Sequence, residues 1–516
     1  MKIKNFFIFL FLLISNFGLF ATTHTNRTFL MPRPVSENMV LRYASWYNQI
    51  DKARDTKHGA TFQITPFYQH STDRSEQGRY FGYYAQGEDK FRDYIDVVNP
   101  ADPPGFAAVG DATWASYIVH HTRGLPNQNF AGKMRFRPDQ EVYGAHFDYH
   151  QNIHQLLKGL FLELSLPVVK VRNDIDLSAI DQLTSIQIVS GAGVRHPSYG
   201  KTLQDYFKGE VFDMEGDSRS QQKPLKYAKI DGAKSRTDFA DLTTKLGYRI
   251  FDKKNWWLSL NGYCLIPTGN TPTGEFLFEP VCGNGNHWFF GFGPDIKVNI
   301  WQDRKNSFDV FSSLKISYGL ESTQKRTLGI KKDDGTPVPF SQYYLVGELG
   351  VRHLMPFANV STLDLKVAPK WQFEGLINLD FMFSNFHVAV GYNLFLKEKE
   401  TAFLKKYWPN NTYGIASTTY ASAPTTSFLY NNAGAFNQNH LDQNIFGERH
   451  TIQDANLDVA SATTPSQTTH KIFAVLGYQA EWRNPLMVSF GGAYEFSDSN
   501  SAFDNYSFWT NVSVAF

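Results

Sequence analysis

Ionisable residues recur at every second position along one side of several apolar segments. Lys245 and Arg249 stand opposite Leu242, Leu246, Tyr248 and Ile250; Asp295 and Lys297 stand opposite Ile296, Val298 and Ile300. Asp309 and Lys315 likewise oppose Phe308, Val310, Leu314, Ile316 and Tyr318, and Glu163 opposes Leu160, Leu162, Leu164, Leu166 and Val168. Strand side chains change face at each residue, so such a segment is ionic on one side and apolar on the other. The polar faces collect Arg135, Arg137, Lys245, Arg249, Lys297, Lys315, Arg352, Lys366 and Lys397 against Glu163, Asp295, Asp309, Glu348, Asp364, Glu374 and Asp380. Around a water-filled passage, opposed groups of both signs would favour polar solutes with little ion selectivity. In a narrow enclosure the same groups would simply pair.

Three smaller constellations could also do chemistry. His146, Asp148 and His150 share a strand face, with His154 just after, a spacing that could converge on zinc or copper. Fifteen histidines make chance clustering easy, and no metal or cofactor is assigned. His196 near Ser198, or Asp148 beside His150, could serve a hydrolase, but no G-x-S-x-G or H-E-x-x-H sequence supports either. The chain is therefore read as a non-enzyme. Cys264 and Cys282 flank a segment rich in proline and glycine, and in an oxidising compartment they would clip it as a disulfide.

The elements that would position these residues are strands. From Tyr506 to the terminal Phe516 the chain alternates, with Tyr506, Phe508, Val512, Val514 and Phe516 on one face. At the other end Lys2 and Lys4 precede the apolar run Phe6 to Phe20, and Ala21 supplies a small residue, which together read as a secretory signal over 1–21. After it no run of eighteen apolar residues could form a spanning helix. The two ends together resemble bacterial outer-membrane β-barrel proteins. That resemblance implies export to the cell outer membrane, contact with its lipid, and recognition of the closing strand by the barrel-assembly machinery. Composition agrees: mean hydropathy is negative, as alternation allows for a barrel, and aromatic residues reach 16%. A net charge of +1 gives no field for nucleic acid.

The expected fold class is all-β, a transmembrane antiparallel β-barrel over 59–516 with long extracellular loops. Strand starts fall near 60, 112, 130, 141, 160, 239, 255, 287, 306, 341, 360, 370, 386, 470, 486 and 505, about 16 strands; dropping the pair near 112 and 130 leaves 14. Tight turns are expected at 252–254, 303–305, 384–385 and 483–485. Long loops are expected at 171–237, 268–285, 321–340 and 399–469, the last disordered outside or folded into the pore. Residues 22–58 are left as a periplasmic leader, a helix, or a plug in the lumen. The function implied is a porin-like channel for passive diffusion of small polar solutes. The alternatives are a barrel like the fatty-acid transporters for hydrophobic solutes, or a structural or adhesive surface barrel without a pore. Porins are commonly homotrimers, but no residue pattern marks a subunit interface.

Overall fold

The structure, a computed structural model, describes residues 23–82, 92–97, 132–180, 200–210, 223–253, 255–351, 354–415, 451–480 and 482–516. The signal segment, the strand expected near 112 and the His196–Ser198 pair lie outside the described residues. Twelve strands form a closed antiparallel barrel: β1 (Ala60–Ser71), β2 (Asp139–Asn152), β3 (Leu160–Asp174), β4 (Leu242–Lys253), β5 (Trp256–Ile266), β6 (Phe289–Asp303), β7 (Asn306–Gly319), β8 (Lys370–Phe383), β9 (Phe386–Lys397), β10 (Gln467–Ala480), β11 (Leu486–Ser497) and β12 (Asn505–Ala515). Each strand pairs with its sequence neighbours, and β12 closes on β1 with Thr61 opposite Ala515 and Ser71 opposite Asn505. One further strand, Lys234–Phe239, pairs with the outer half of β3 and leads directly into β4.

Period-2 alternation explains the wall. Leu246, Leu260, Phe292, Val390, Leu476, Phe490 and Phe508 are exposed on the outside, where a bilayer would cover them, while Lys245, Asp295, Asn378 and Ser489 are buried inside. Connections at 254–255, 304–305 and 384–385 are only two residues long, and Ser384 adopts the positive φ of 57° that a tight hairpin uses. These turns share one end of the barrel with residue 60 and the C-terminus. The long connections (72–138, 175–241, 267–288, 320–369 and 398–466) all leave from and return to the other end.

The count of sixteen strands is corrected, and so is the alternative of fourteen. Gly132–Arg135 pairs with Tyr94–Val97 and Ser178–Ala179 in a separate small sheet. Leu345–Glu348 pairs with Leu354–Pro356 and Tyr413–Ile415; Thr362–Ala368 pairs with Ser322–Thr327 and Thr401–Leu404. Length is the physical reason. Barrel strands run 11 to 15 residues, enough for a tilted crossing of about 9–11, whereas these pieces have 2 to 7. They pack into a cap over the loop end around Phe136, Tyr206, Phe207, Ile330, Tyr343, Phe357, Trp408 and Ile452. The expected loop 321–340 accordingly extends to 369. The described parts of 399–466 belong to this cap, with Trp408, Ile452 and Leu457 in its core, and 467–469 already belong to β10.

The lumen as candidate functional site

Residues 23–58 run the length of the barrel interior. In the cap, the Thr28 amide donates to the Ser461 carbonyl at 2.9 Å and the Tyr80 hydroxyl to the Phe29 carbonyl at 2.7 Å. The chain then descends as helix α1 (Met39–Ala53), whose fifteen residues span about 22 Å. It leaves at the turn end, where the Thr56 hydroxyl donates to the Phe516 carbonyl at 2.7 Å. Every residue of α1 except Asp51 and Lys52 is buried, so the barrel wall surrounds it.

Three ionic layers tie this segment to the wall. Near the cap, Arg33 pairs with Glu374 of β8 and, at 2.8 Å, with Glu495 of β11; it also donates to Asn393 of β9 at 3.0 Å. Glu37 pairs with Lys315 of β7. Glu374 also accepts from the Met39 amide at 2.8 Å, placing a carboxylate at the positive end of the helix. At mid-height Arg42 lies 3.4 Å from Asp148 and 3.5 Å from Glu163, and the Tyr43 hydroxyl donates to Glu163 at 2.6 Å. Lys245 completes that layer, 3.2 Å from Glu163 and 2.6 Å from Asp295. Toward the turn end Asp51 meets Lys297 at 2.7 Å, Arg249 at 4.0 Å and the Trp257 indole N–H at 3.0 Å. Asp380 takes His387 and, at 3.2 Å, the Asn48 amide; Tyr47 stacks on Phe311 at 4.7 Å. A buried charge is tolerable only when paired and hydrogen-bonded, and the segment 33–53 supplies the missing partners.

Of the expected pore-lining residues, Glu163, Lys245, Arg249, Asp295, Lys297, Asp309, Lys315, Glu374, Asp380 and Lys397 stand on the inner face of the wall. Arg135, Arg137, Glu348, Asp364 and Lys366 do not. They sit in the cap, because the short strands that carry most of them alternate as the barrel strands do without crossing; Arg352 lies outside the described residues. Tyr506, Phe508, Val512, Val514 and Phe516 share the outer face of the closing strand and its end. The disulfide is corrected: both cysteines are free. Cys264 shares the outward parity of Leu260 on β5, whereas Cys282 is buried in 267–288 beside the Arg236 carbonyl, where burial pushes its thiol up to about 11.

His146, Asp148 and His150 line the lumen without converging: the His146 ring packs against Phe67, and the other two engage separate partners. Asp148 binds Arg42 and Gln63, while His150 meets Glu163 and Asn152, each at 3.4 Å. Among the described residues, the cluster with metal-like spacing is His70, Asp139 and Glu141 at the loop end. Arg74 lies 2.7 Å from Asp139 and Arg172 3.3 Å from Glu141, so those carboxylates are already neutralised. The functional residues that escaped sequence reasoning are Arg33, Glu37, Arg42 and Asp51. A signal was present: Tyr43, Trp46, Tyr47 and Ile50 repeat at helical spacing.

The cap holds its own buried ion pair. Arg326 reaches Glu400 at 2.6 Å and lies over the Phe29 ring at 3.7 Å. Burial alone would raise the Glu400 carboxyl, but Arg326 and Lys397 hold it well below the usual carboxylate range.

No family profile matches the chain, and no curated protein matches it. Among solved structures it is similar to an outer-membrane channel from Pseudomonas putida F1 (11% identity, 89% of this chain and 95% of that one, TM-score 0.35). It is also similar to the translocator domain of the autotransporter NalP from Neisseria meningitidis (9%, 93% and 95%, TM-score 0.31) and to the P. putida toluene transporter TodX (9%, 97% and 99%, TM-score 0.30). The chain has the build of an outer-membrane β-barrel protein. At such scores the architecture rests on the strand pairing itself.

Proposed function

We propose that this protein is an outer-membrane channel for small polar solutes, held shut here by the segment 33–53. The observation that supports this reading most is the wall behind α1. It is lined by charged and amide side chains of both signs, which an aqueous path uses and which a hydrophobic cargo would have to desolvate. The acids and bases are engaged with one another and with α1, so the reading assigns them to conduction and gating, not catalysis. Lipid contact through the outer face, and recognition of Tyr506–Phe516 by the assembly machinery, belong to the same proposal.

The test is conductance in a planar bilayer. Ser45 and Ser489 have hydroxyl oxygens 2.8 Å apart, joining α1 to β11. Ser45→Cys/Ser489→Cys, in a background with Cys264 and Cys282 changed to Ser, should silence current steps when oxidised and restore them on reduction. Arg42→Met/Asp51→Asn should open more often than the parent. Absence of current from all of these would favour a second reading, a surface barrel without a pore, which the filled lumen and the organised cap also suit.

A further inference from the structure

The outer wall carries a groove of about 510 Å³ across β7, β8 and β9, in the half nearest the cap. Its origin is local. Gly375 has no side chain and lies between Leu314 and Leu394 in the strand register, so the two leucines close over a dent. Ile316, Phe373, Tyr392 and Leu396 form the sides, and Trp371 stands at the upper rim, in edge contact with Tyr318. Trp371 to Ile377 spans about 20 Å of strand, the scale of an acyl chain.

The surface directly above is different in kind. β7, β8 and β9 are continued into the cap by Ser322–Thr327, Thr362–Ala368 and Thr401–Leu404, which pair in the same order. On the exposed face of that small sheet Lys366 lies opposite Phe403, and Lys405 follows. Lys399, Lys406 and the almost fully exposed Tyr407 are close in sequence. The nearby acids are Glu321, Asp364 and Glu398; the Glu321–Lys366 pair, at 3.4 Å, is about half exposed on both sides and screened. Lysines exceed acids, and they share the surface with exposed aromatic rings, the mixture that sits at a membrane interface.

We propose that this wall is a docking site for an anionic, phosphate-bearing lipid of the surrounding membrane. One acyl chain lies in the Gly375 groove and the phosphate rests on Lys366 and Lys405. The charge above the groove selects this occupant over a neutral lipid, and the apolar floor selects it over a free anion.

The experiment is native mass spectrometry of the full protein released from micelles doped with dimyristoyl phosphatidylglycerol or dimyristoyl phosphatidylcholine. One phosphatidylglycerol should be retained in preference. Lys366→Gln and Lys405→Gln should each reduce retention about fivefold, as expected for one basic group at a lipid surface. Gly375→Leu fills the dent at the expense of Leu314 and Phe373 side-chain atoms 3.2 and 3.3 Å from the new Cβ, and should reduce retention of the same lipid. Heat-modified gel migration confirms folding, and Ile377→Trp replaces Gly375→Leu if the latter does not fold. Equal retention of the two lipids overturns the proposal, as does retention unchanged by the lysine variants or by groove filling. Retention displaced by inorganic phosphate alone also overturns it, since that identifies a free-anion site.

Discussion

The barrel wall and the cap are both built of alternating strands, yet they stand on opposite physical terms. In the wall, Lys245 is 1% exposed and is shared between Glu163 and Asp295; in the cap sheet, Lys366 is about half exposed beside Glu321. The same side chain is a structural member in one region and a solvated group in the other. Alternation makes a strand two-faced, but enclosure decides what its polar face is worth.

Removing the two lysines should therefore give the largest contrast. Lys245→Met leaves Glu163 and Asp295 buried with one partner fewer, and should cost about 3–5 kcal/mol. Lys366→Met should cost no more than about 1 kcal/mol. Urea unfolding in detergent micelles, followed by tryptophan fluorescence, measures both. Similar losses at the two sites would mean that water reaches the lumen layer despite α1.

The outer faces should differ less, but still measurably. Val390 sits midway along β9 and faces outward, so Val390→Arg should cost about 2–4 kcal/mol in a bilayer. Tyr407 is 97% exposed in the cap, and Tyr407→Arg should stay within about 0.5 kcal/mol. Refolding yield into vesicles separates the two. If Val390→Arg is as harmless as Tyr407→Arg, the exposed apolar wall is not covered by lipid.

The contrast also explains what could be read from the residues alone. Phe386–Lys397 and Tyr506–Phe516 announce themselves because their alternation lasts long enough to cross a bilayer. Thr362–Ala368 alternates just as cleanly over seven residues, so a strand start near 360 reads as a crossing. It is too short to cross, and β7 is joined to β8 by one long connection that contains it. Charges inside the barrel were legible because a strand face repeats every two residues. Their partners were not: Arg33, Arg42 and Asp51 approach from a helix distant in sequence, and only closure of the barrel brings Glu374 and Glu495 to the same guanidinium.

A third contrast is a pH response confined to the cap. His287 joins two of its connections: Gln324 donates to the ring Nε2 at 2.8 Å, and the Nδ1–H donates to the Leu320 carbonyl at 2.9 Å. Burial is the main cause that lowers this imidazole to about 4, and the bond from Gln324 requires the neutral ring. An unfolded chain, with histidine near 6.5, takes up the proton first as pH falls. Stability from His287 is thus complete above about 6.5 and is lost progressively toward 4. Limited proteolysis at stepped pH should show cap connections becoming cleavable across that window while the barrel core keeps its heat-resistant gel migration. His287→Gln should flatten the response, because glutamine does not titrate. Cleavage that begins only below pH 4 would assign the transition to carboxylates, and simultaneous loss of barrel and cap would mean that the two regions do not open independently.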